Sequence, residues 1–240
     1  PHHLRLACLG DSWISDWAGE NTWELESPTP AAIQSELLAA GFDLELVLAG
    51  FPGCTAARLF EFAKVCRLRD MSLLLERGGW LPRTGDLLEF LDKFDVPAAY
   101  AAKTDPGSTL VCEDVDMIIA IIGYNDLKRR ETSGTSVADT LTALKTLYMS
   151  RGVEFVPVTI SRGRPLDEER EVANSRLLRE CEAVDTDRLE AKLDRGLWKN
   201  DEHLSAEGYQ KFGALLARDL IDRPASSIKR CRISGSSSAP

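Results

Sequence analysis

One serine lies where a hydroxyl group could act as a nucleophile. Ser12 follows the apolar run "LRLACL" and the pair Gly10-Asp11, a pattern typical of a sharp exit from a β-strand. A serine hydroxyl becomes nucleophilic when a base accepts its proton, and imidazole is suited to that near neutral pH. Of the three histidines, two lie at positions 2 and 3, and the third is His203 in "WKNDEHLSAEGY". His203 is therefore the candidate base.

Two other segments could donate hydrogen bonds to an oxyanion. The segment "AGFPGCT" contains Gly50 and Gly53, where a tight turn can present backbone N–H groups, and "GYND" contains the amide of Asn125. The tetrahedral intermediate of acyl transfer carries a negative oxygen, and the loss of one donor to it typically costs about 3 to 4 kcal/mol. Each segment alone is better explained as a turn or a helix cap. Their occurrence at successive strand ends predicts a catalytic site.

Apolar runs alternate with helical periods along the chain. Strands are predicted at 4–9, 44–49, 115–123, 153–160 and 182–186. Helices are predicted at 30–41 with Pro30 in the first helical position and Gly41 as the stop, at 136–152 with Ser136 as N-cap and Gly152 as the stop, at 167–181 from Asp167, and at 205–220 from Ser205. Parallel strands need crossover connections, so this alternation predicts a doubly wound α/β/α sandwich. Ligands of such sheets bind beyond the carboxyl ends of the strands, where the polar segments lie.

Length and composition limit the possible classes of protein. The 240 residues, 44% of them hydrophobic, suffice for one large core, and we expect one domain over 1–223 and a flexible tail at 224–240. The net charge of −9 opposes a nucleic-acid partner. The chain has no run of about 18 apolar residues, so no transmembrane segment is predicted. Six cysteines without CxxC pairing favour free thiols and a cytoplasmic location.

The segment 70–110 departs from the alternation of strands and helices. It contains "ERGGWLPRTGD" and "VPAAYAAKTDPGST", both rich in Gly and Pro, around one helical stretch, "DLLEFLDKF". Long connections of this kind often cover a functional site. The segment is equally consistent with a lid and with a surface excursion of no function.

The order of the polar segments resembles that of the SGNH hydrolases, also called the GDSL esterase/lipase family. The matching segments are GDS at 10–12, the glycine turn at 50–55, GxND at 123–126 and the histidine before "LSAEGY", and the resemblance spans residues 4 to about 220. It implies a flavodoxin-like three-layer α/β/α sandwich with a five-stranded parallel sheet. It also implies a serine esterase that uses neither a metal nor a cofactor.

The resemblance assigns a role to each matching residue. It implies that Ser12 is the nucleophile and His203 the general base. The oxyanion would accept hydrogen bonds from the backbone N–H groups of Ser12 and Gly53 and from the Asn125 amide. Gly53 is preferred to Gly50 because the family's donor is the glycine that precedes the threonine-containing turn.

Three residues next to these groups are expected to contact the substrate. They are Asp11 and Trp13, on either side of the nucleophile, and Tyr124, which precedes the amide donor. Trp13 and Trp17 could line an acyl or alcohol pocket, and packing of both indoles in the core is the alternative.

Two positions depart from the family pattern. The family's last block is Asp-x-x-His, with the Asp orienting the imidazole, whereas Asn200 lies three residues before His203 and Asp201 follows it. Either Asp201 takes over the role, or Asn200 orients His203 as a neutral acceptor, or the site is weak. Leu48 replaces an Asn that often precedes the glycine turn, which removes one supporting polar contact.

The predicted function is hydrolysis of a carboxylic ester, with a short acyl or acetyl group, through an acyl-enzyme intermediate. The substrate would be a small-molecule, glycan or lipid ester. The alternative is a catalytically degraded binding or scaffold module with the same fold, which Asn200 and Leu48 suggest. A flavin-binding module is disfavoured because the first strand exit is Gly-Asp-Ser and not a hydroxyl-rich phosphate loop.

Overall fold

A parallel sheet forms the centre of the molecule. The computed structural model describes residues 3–14, 28–76, 86–95, 113–129, 132–162 and 167–223. Within these ranges the sheet has four strands, β1 His3–Gly10, β2 Asp43–Gly50, β3 Met117–Ile121 and β4 Glu154–Val158, in the order β2-β1-β3-β4. All pairs are parallel, and Gly10 is in register with Gly50 and Ile121. The carboxyl ends of the central strands therefore lie side by side.

Alternate residues of the strands face two separate cores. In β1, Leu4, Leu6 and Cys8 are buried on one side, and Ala7 and Leu9 on the other. Both faces are apolar because a parallel sheet is covered by helices on both sides. The three-layer α/β/α arrangement predicted from the alternation of elements is confirmed.

Nine α-helices and one 3-10 helix occur in the described residues. The α-helices are α1 Pro28–Ala39, α2 Ala56–Val65, α3 Leu68–Glu76, α4 Leu87–Lys93, α5 Tyr124–Lys128, α6 Gly134–Ser150, α7 Asp167–Cys181, α8 Thr186–Glu190 and α9 Ala206–Asp222, and the 3-10 helix is Arg195–Leu197. Helices α1 and α9 pack together on the Leu6 face, and α2, α6 and α7 cover the Leu9 face. No helix in the described part of the chain has the length and apolar character needed to cross a bilayer.

Most of the predicted helix boundaries are confirmed, and two are wrong. Gly41 ends α1 with φ of +88°, and Ser205 caps α9 by accepting from the Gly208 N–H. Helix α1 begins at Pro28, two residues before Pro30. Both prolines fit because the first turn of a helix needs no N–H donors. Helix α6 begins at Gly134, since its cap is the Ser133 hydroxyl and not that of Ser136.

The predicted fifth strand at 182–186 is wrong. Only Val184 pairs with the sheet, through a single parallel bridge to Val158. Glu182 has a φ of +53°, which turns the chain before it can extend, and the Asp185 carboxylate caps α8 immediately afterwards. The extended run is therefore too short for a ladder, and the sheet in the described residues has four strands.

Residues on either side of the 70–110 segment meet at the amino end of the sheet, opposite the polar segments. The N–H of Leu68, at the start of α3, donates to the Glu113 carboxylate just before β3. Glu113 also pairs with Arg151 in a buried contact of 3.2 Å. Leu91 of α4 is buried in the core on the Leu9 face. The rest of the segment, and the tail at 224–240, lie outside the described residues, and the lid stays a prediction.

The described cysteines agree with the prediction of free thiols. Cys8, Cys54, Cys66 and Cys181 are unpaired and buried. Burial raises the pKa of the Cys8 thiol to about 12, so this group is protonated at neutral pH and behaves as a small apolar side chain.

Replacement of Gly10 by Ala should destabilise the fold. A Cβ at Gly10 would lie 2.1 Å from the carbonyl oxygen of Ile121, an atom of the neighbouring strand. Overpacking of this kind typically costs about 1–3 kcal/mol, so the melting temperature of Gly10→Ala should fall by several degrees. Gly196→Ala is the control, because a Cβ there meets no atom within 4 Å. Equal melting temperatures for the two variants would contradict the steric argument.

Candidate active site

The Ser12 hydroxyl meets the His203 imidazole at the carboxyl end of β1. The distance from Ser12 Oγ to His203 Nε2 is 3.0 Å, which is hydrogen-bonding distance. Ser12 lies in a tight turn in which the Ile14 N–H donates to the Asp11 carbonyl at 3.0 Å. The Asp11 carboxylate accepts from the Trp13 N–H at 3.1 Å and closes the same turn. The turn therefore fixes the backbone that carries the hydroxyl.

The loop that carries His203 is closed by its own backbone. Trp198 and Leu204 form an antiparallel bridge, and the Lys199 N–H donates to the His203 carbonyl at 2.9 Å. The Ser205 N–H donates to the Leu197 carbonyl at 2.7 Å. These contacts place His203 immediately before α9 and fix the position of its backbone.

The Asn200 side chain stabilises this loop from within. Its Oδ1 atom accepts the backbone N–H groups of Glu202 and His203, each at 2.8 Å. A carbonyl oxygen has two lone pairs, so both are used by the turn. Glu202 accepts from Lys128 at 2.6 Å, which joins the loop to α5. Asp201, between them, is exposed.

Asn125 lies next to Ser12 because it follows the neighbouring strand. Gly123, which precedes α5, has a φ of +118°, and a Cβ there would lie 3.0 Å from Val137 Cγ1. A glycine therefore makes this sharp strand exit possible. The Asn125 amide donates from Nδ2 to Asp11 Oδ2 at 3.1 Å. This contact joins the ends of β1 and β3.

The Gly53 turn completes the cluster at the end of β2. The Phe51 N–H donates to the Gly10 carbonyl at 2.8 Å, and the Cys54 N–H donates to the Phe51 carbonyl at 2.9 Å. Gly53 has a φ of +70°, a conformation that favours glycine. Gly50, by contrast, is the last residue of β2 and is paired with Gly10. The side chain of Leu48 packs against the core on the Leu6 face.

The three residues expected to contact substrate are buried behind the site. Asp11, Trp13 and Tyr124 are 1%, 2% and 7% exposed. Trp13 packs edge-on against Trp198, Tyr209 and Phe212, with ring centroids 6.3, 5.3 and 5.3 Å apart. Trp13 therefore packs in the core, which is the alternative to a place in a pocket, and the contact of Asp11, Trp13 and Tyr124 with a substrate stays a prediction. Trp17 lies outside the described residues.

Two buried carboxyl groups lie next to the polar cluster. Burial raises the pKa of Asp11 to about 7, and the nearby Asp126 charge adds to the increase. Burial raises the pKa of Asp126 to about 6, although N–H donors from Ala56 and Ala57 and the charge of Arg129 oppose it. Burial and the nearby Glu202 carboxylate raise the pKa of the Tyr124 hydroxyl.

Sequence reasoning did not assign roles to Asp126, Arg129, Lys128 or Glu202. Asp126 is part of the "GYND" segment, so its position was a usable signal. The contact between Lys128 and Glu202 joins residues 74 positions apart. No local pattern predicts a pair of this kind, because each residue alone resembles an ordinary surface charge.

Comparison with known proteins shows which solved structures share this fold. No protein-family model matches the chain, and no curated protein matches it. Solved structures with the same fold include a protein assigned to the lipolytic G-D-S-L family from Desulfitobacterium hafniense, with 15% identity, a TM-score of 0.58, and coverage of 89% of this chain and 98% of that one. A family 3 carbohydrate esterase from Clostridium thermocellum has 14% identity, a TM-score of 0.58 and coverage of 97% and 99%.

A third structure extends the comparison. The lipase/acylhydrolase from Enterococcus faecalis has 18% identity, a TM-score of 0.52 and coverage of 90% of this chain and 95% of that one. Likenesses at this level of identity show a shared fold. The chain thus has the α/β fold of the G-D-S-L lipolytic proteins and carbohydrate esterases, as the resemblance of its polar segments implied.

The free energy of unfolding should fall as the pH rises from about 4 to about 7, because over this range Asp11 and Asp126 have ionised in the unfolded chain and still hold protons in the folded protein. Both pKa values lie above the ordinary value of 3.8. The folded state therefore holds protons that the unfolded chain has already lost, and raising the pH favours the unfolded chain.

The measurement is urea unfolding of wild type and Asp126→Asn over this pH range. The variant keeps one oxygen acceptor but cannot ionise, so its stability should depend less on pH. The exposed Glu89→Gln serves as the control. The same pH dependence in wild type and Asp126→Asn would show that Asp126 does not carry the effect.

Proposed function

We propose that this chain is a serine esterase that hydrolyses carboxylic esters through an acyl-enzyme on Ser12. The observation that carries the proposal is the 3.0 Å contact between Ser12 Oγ and His203 Nε2. It lies at the carboxyl ends of the strands, beside the Asn125 amide and the Gly53 turn. The fold shared with esterases and lipolytic proteins supports the same class of reaction.

The proposed reaction has two acyl-transfer steps. Ser12 Oγ attacks the ester carbonyl while its proton passes to His203 Nε2, and the tetrahedral intermediate collapses as His203 returns the proton to the leaving alkoxide. Water then attacks the acyl-enzyme in the same way, and the acid and free Ser12 are released. The oxyanion accepts hydrogen bonds from the N–H groups of Ser12 and Gly53 and from the Asn125 amide, which has a second N–H besides the one bonded to Asp11.

Asp201 is the proposed partner that orients the His203 imidazole. Both lone pairs of the Asn200 Oδ1 atom accept backbone N–H groups, which leaves Asn200 little capacity to accept from the ring. Glu202 pairs with Lys128 and is directed toward α5. Asp201 is the remaining carboxylate of the loop, and a carboxylate both holds the imidazole and stabilises its protonated form.

The proposed substrate class is an ester of a short acyl group. Neighbours in fold include family 3 carbohydrate esterases from Clostridium thermocellum and Talaromyces cellulolyticus and an acetyl esterase. An acetyl or similarly short group on a small-molecule or glycan alcohol fits these names. A series of p-nitrophenyl esters of increasing acyl length tests this, and we expect kcat/KM to be highest for the shortest members.

Ser12→Ala should abolish ester hydrolysis, because the substitution removes the attacking oxygen. It should also abolish covalent labelling by a fluorophosphonate, which reacts with activated serines. The melting temperature should change little, since the Ser12 hydroxyl bonds to His203 in a part-buried site. The control is Ser136→Ala, an exposed serine on α6. Labelling of Ser12→Ala at the wild-type rate would exclude Ser12, and an unlabelled, inactive wild type would favour the binding module.

Asp201→Ala should lower kcat by up to about 10⁴-fold, the effect seen when a triad carboxylate is lost. Asn200→Asp should change kcat little, because an aspartate can also accept the two backbone N–H groups of the turn. The measurement is kcat on p-nitrophenyl acetate, with Ser12→Ala as the background. A nearly silent Asp201→Ala together with a faster Asn200→Asp would show that residue 200 is the partner instead.

A further inference from the structure

The short helix α5 and the residue after it contact the Gly53 turn at two points. The Asp126 carboxylate accepts from the Ala56 N–H at 2.8 Å and from the Ala57 N–H at 3.5 Å, at the start of α2. Arg129 donates from Nη2 to the Gly53 carbonyl at 2.7 Å. The helix that begins with Tyr124 and Asn125 is thus joined to the loop after β2.

The Asp126 contact satisfies a helix end inside the protein. The first N–H groups of an α-helix have no partner within the helix, and burying them unpaired is costly. Ala56 is fully buried and Asp126 is 3% exposed, so the Asp126 carboxylate, and not water, accepts the hydrogen bond of the Ala56 N–H. The positive end of the helix dipole and the charge of Arg129 both favour its ionised form. Helix α2 is therefore held at a fixed distance from α5.

Arg129 contacts Gly53, the residue of the turn with the most backbone freedom. Glycine with a positive φ has no Cβ to restrict its peptide planes. The Gly53–Cys54 peptide is bonded inside the turn through the Cys54 N–H and outside it through the Gly53 carbonyl. A Cβ on Gly53 would lie 3.5 Å from Arg129 Nη2, so the guanidinium lies directly over the turn. The hydrogen bond to the Gly53 carbonyl fixes the plane of the peptide that follows this residue.

We propose that Arg129 is a positioning residue for the oxyanion hole. It holds the Gly53 carbonyl and, with Asp126, sets the distance between the Gly53 N–H and the Asn125 amide. The inference rests on the proposed esterase function and adds to it a residue that acts through the Gly53 turn. Its charge also offsets that of the buried Asp126 carboxylate, close to which the negative oxyanion must form.

A positioning role of this kind has a kinetic signature. The oxyanion exists only in the tetrahedral intermediate and the transition states that flank it, so a displaced donor raises the barrier without weakening ground-state binding. The loss therefore appears in kcat and not in KM. A boronic acid forms a tetrahedral anionic adduct with a serine, and its affinity should fall in parallel.

The test compares Arg129→Met and Arg129→Lys with wild type on p-nitrophenyl acetate, with active sites counted by fluorophosphonate labelling. Removing a whole oxyanion donor costs about 10²–10³-fold in kcat, so a misplaced donor in Arg129→Met should cost about 10- to 100-fold. We expect KM to be nearly unchanged and phenylboronic acid to bind more weakly by a similar factor. Arg129→Lys should recover part of kcat, because an ammonium group can still donate to the Gly53 carbonyl.

Lys64→Met is the matched control, since Lys64 is an exposed cation on α2 whose contacts are with Glu61 and the Phe60 ring of the same helix. If Arg129→Met does not fold, Asp126→Asn is the second variant, because it keeps the shorter contact to Ala56 and should show a smaller loss of kcat at constant KM. Unchanged kcat and boronate affinity in the folded variants, or a rise in KM alone, would overturn the positioning role. An inactive, unlabelled wild type would overturn the esterase proposal and this inference with it.

Discussion

The hydrogen bond from Asn125 to Asp11 is the contact on which the geometry of the site depends. It joins the carboxyl ends of the two central strands at 3.1 Å, where the Asp11 N–H also donates to the Ile121 carbonyl. An ionised carboxylate can only accept, so in that form of Asp11 the contact fixes which end of the Asn125 amide is the donor. Because the same carboxylate closes the turn around Ser12, one buried side chain aligns the hydroxyl with the amide.

The Asp11 and Asp126 carboxylates place negative charge close to the position where the oxyanion of the proposed reaction would form. Burial raises the pKa values of Asp11 and Asp126, and the charge of Asp126 raises the pKa of Asp11 further. The opposing contributions are backbone N–H groups, the start of α2 and one guanidinium. An oxyanion beside such a cluster depends on donors held rigidly in place, because flexible dipoles would turn toward the carboxylates instead.

The sequence predicts that Ser12, Gly53, Asn125 and His203 lie close together. It predicts less well which other residues hold them in place. Three of the four follow adjacent parallel strands, and the topology of a doubly wound sheet brings such positions together. The burial of Trp13 depends on Trp198 and Tyr209, which lie far away in the chain, and no local pattern could have indicated it. Residues 182–186 do not form the predicted fifth strand because Asp185 caps α8, and this cap outweighs the weak strand preference of five residues.

The contact between Trp13 and Trp198 gives the molecule an internal optical reporter. Trp13 adjoins the serine, Trp198 begins the loop that carries the histidine, and their rings lie 6.3 Å apart at 67°. Indoles this close couple electronically, and the coupling gives a circular dichroism signal in the aromatic region that depends on their separation and angle. A motion that carries the histidine loop away from β1 changes both quantities. The approach of the His203 loop to Ser12, the proposed base and nucleophile, can thus be followed spectroscopically, with no substrate present and no added label.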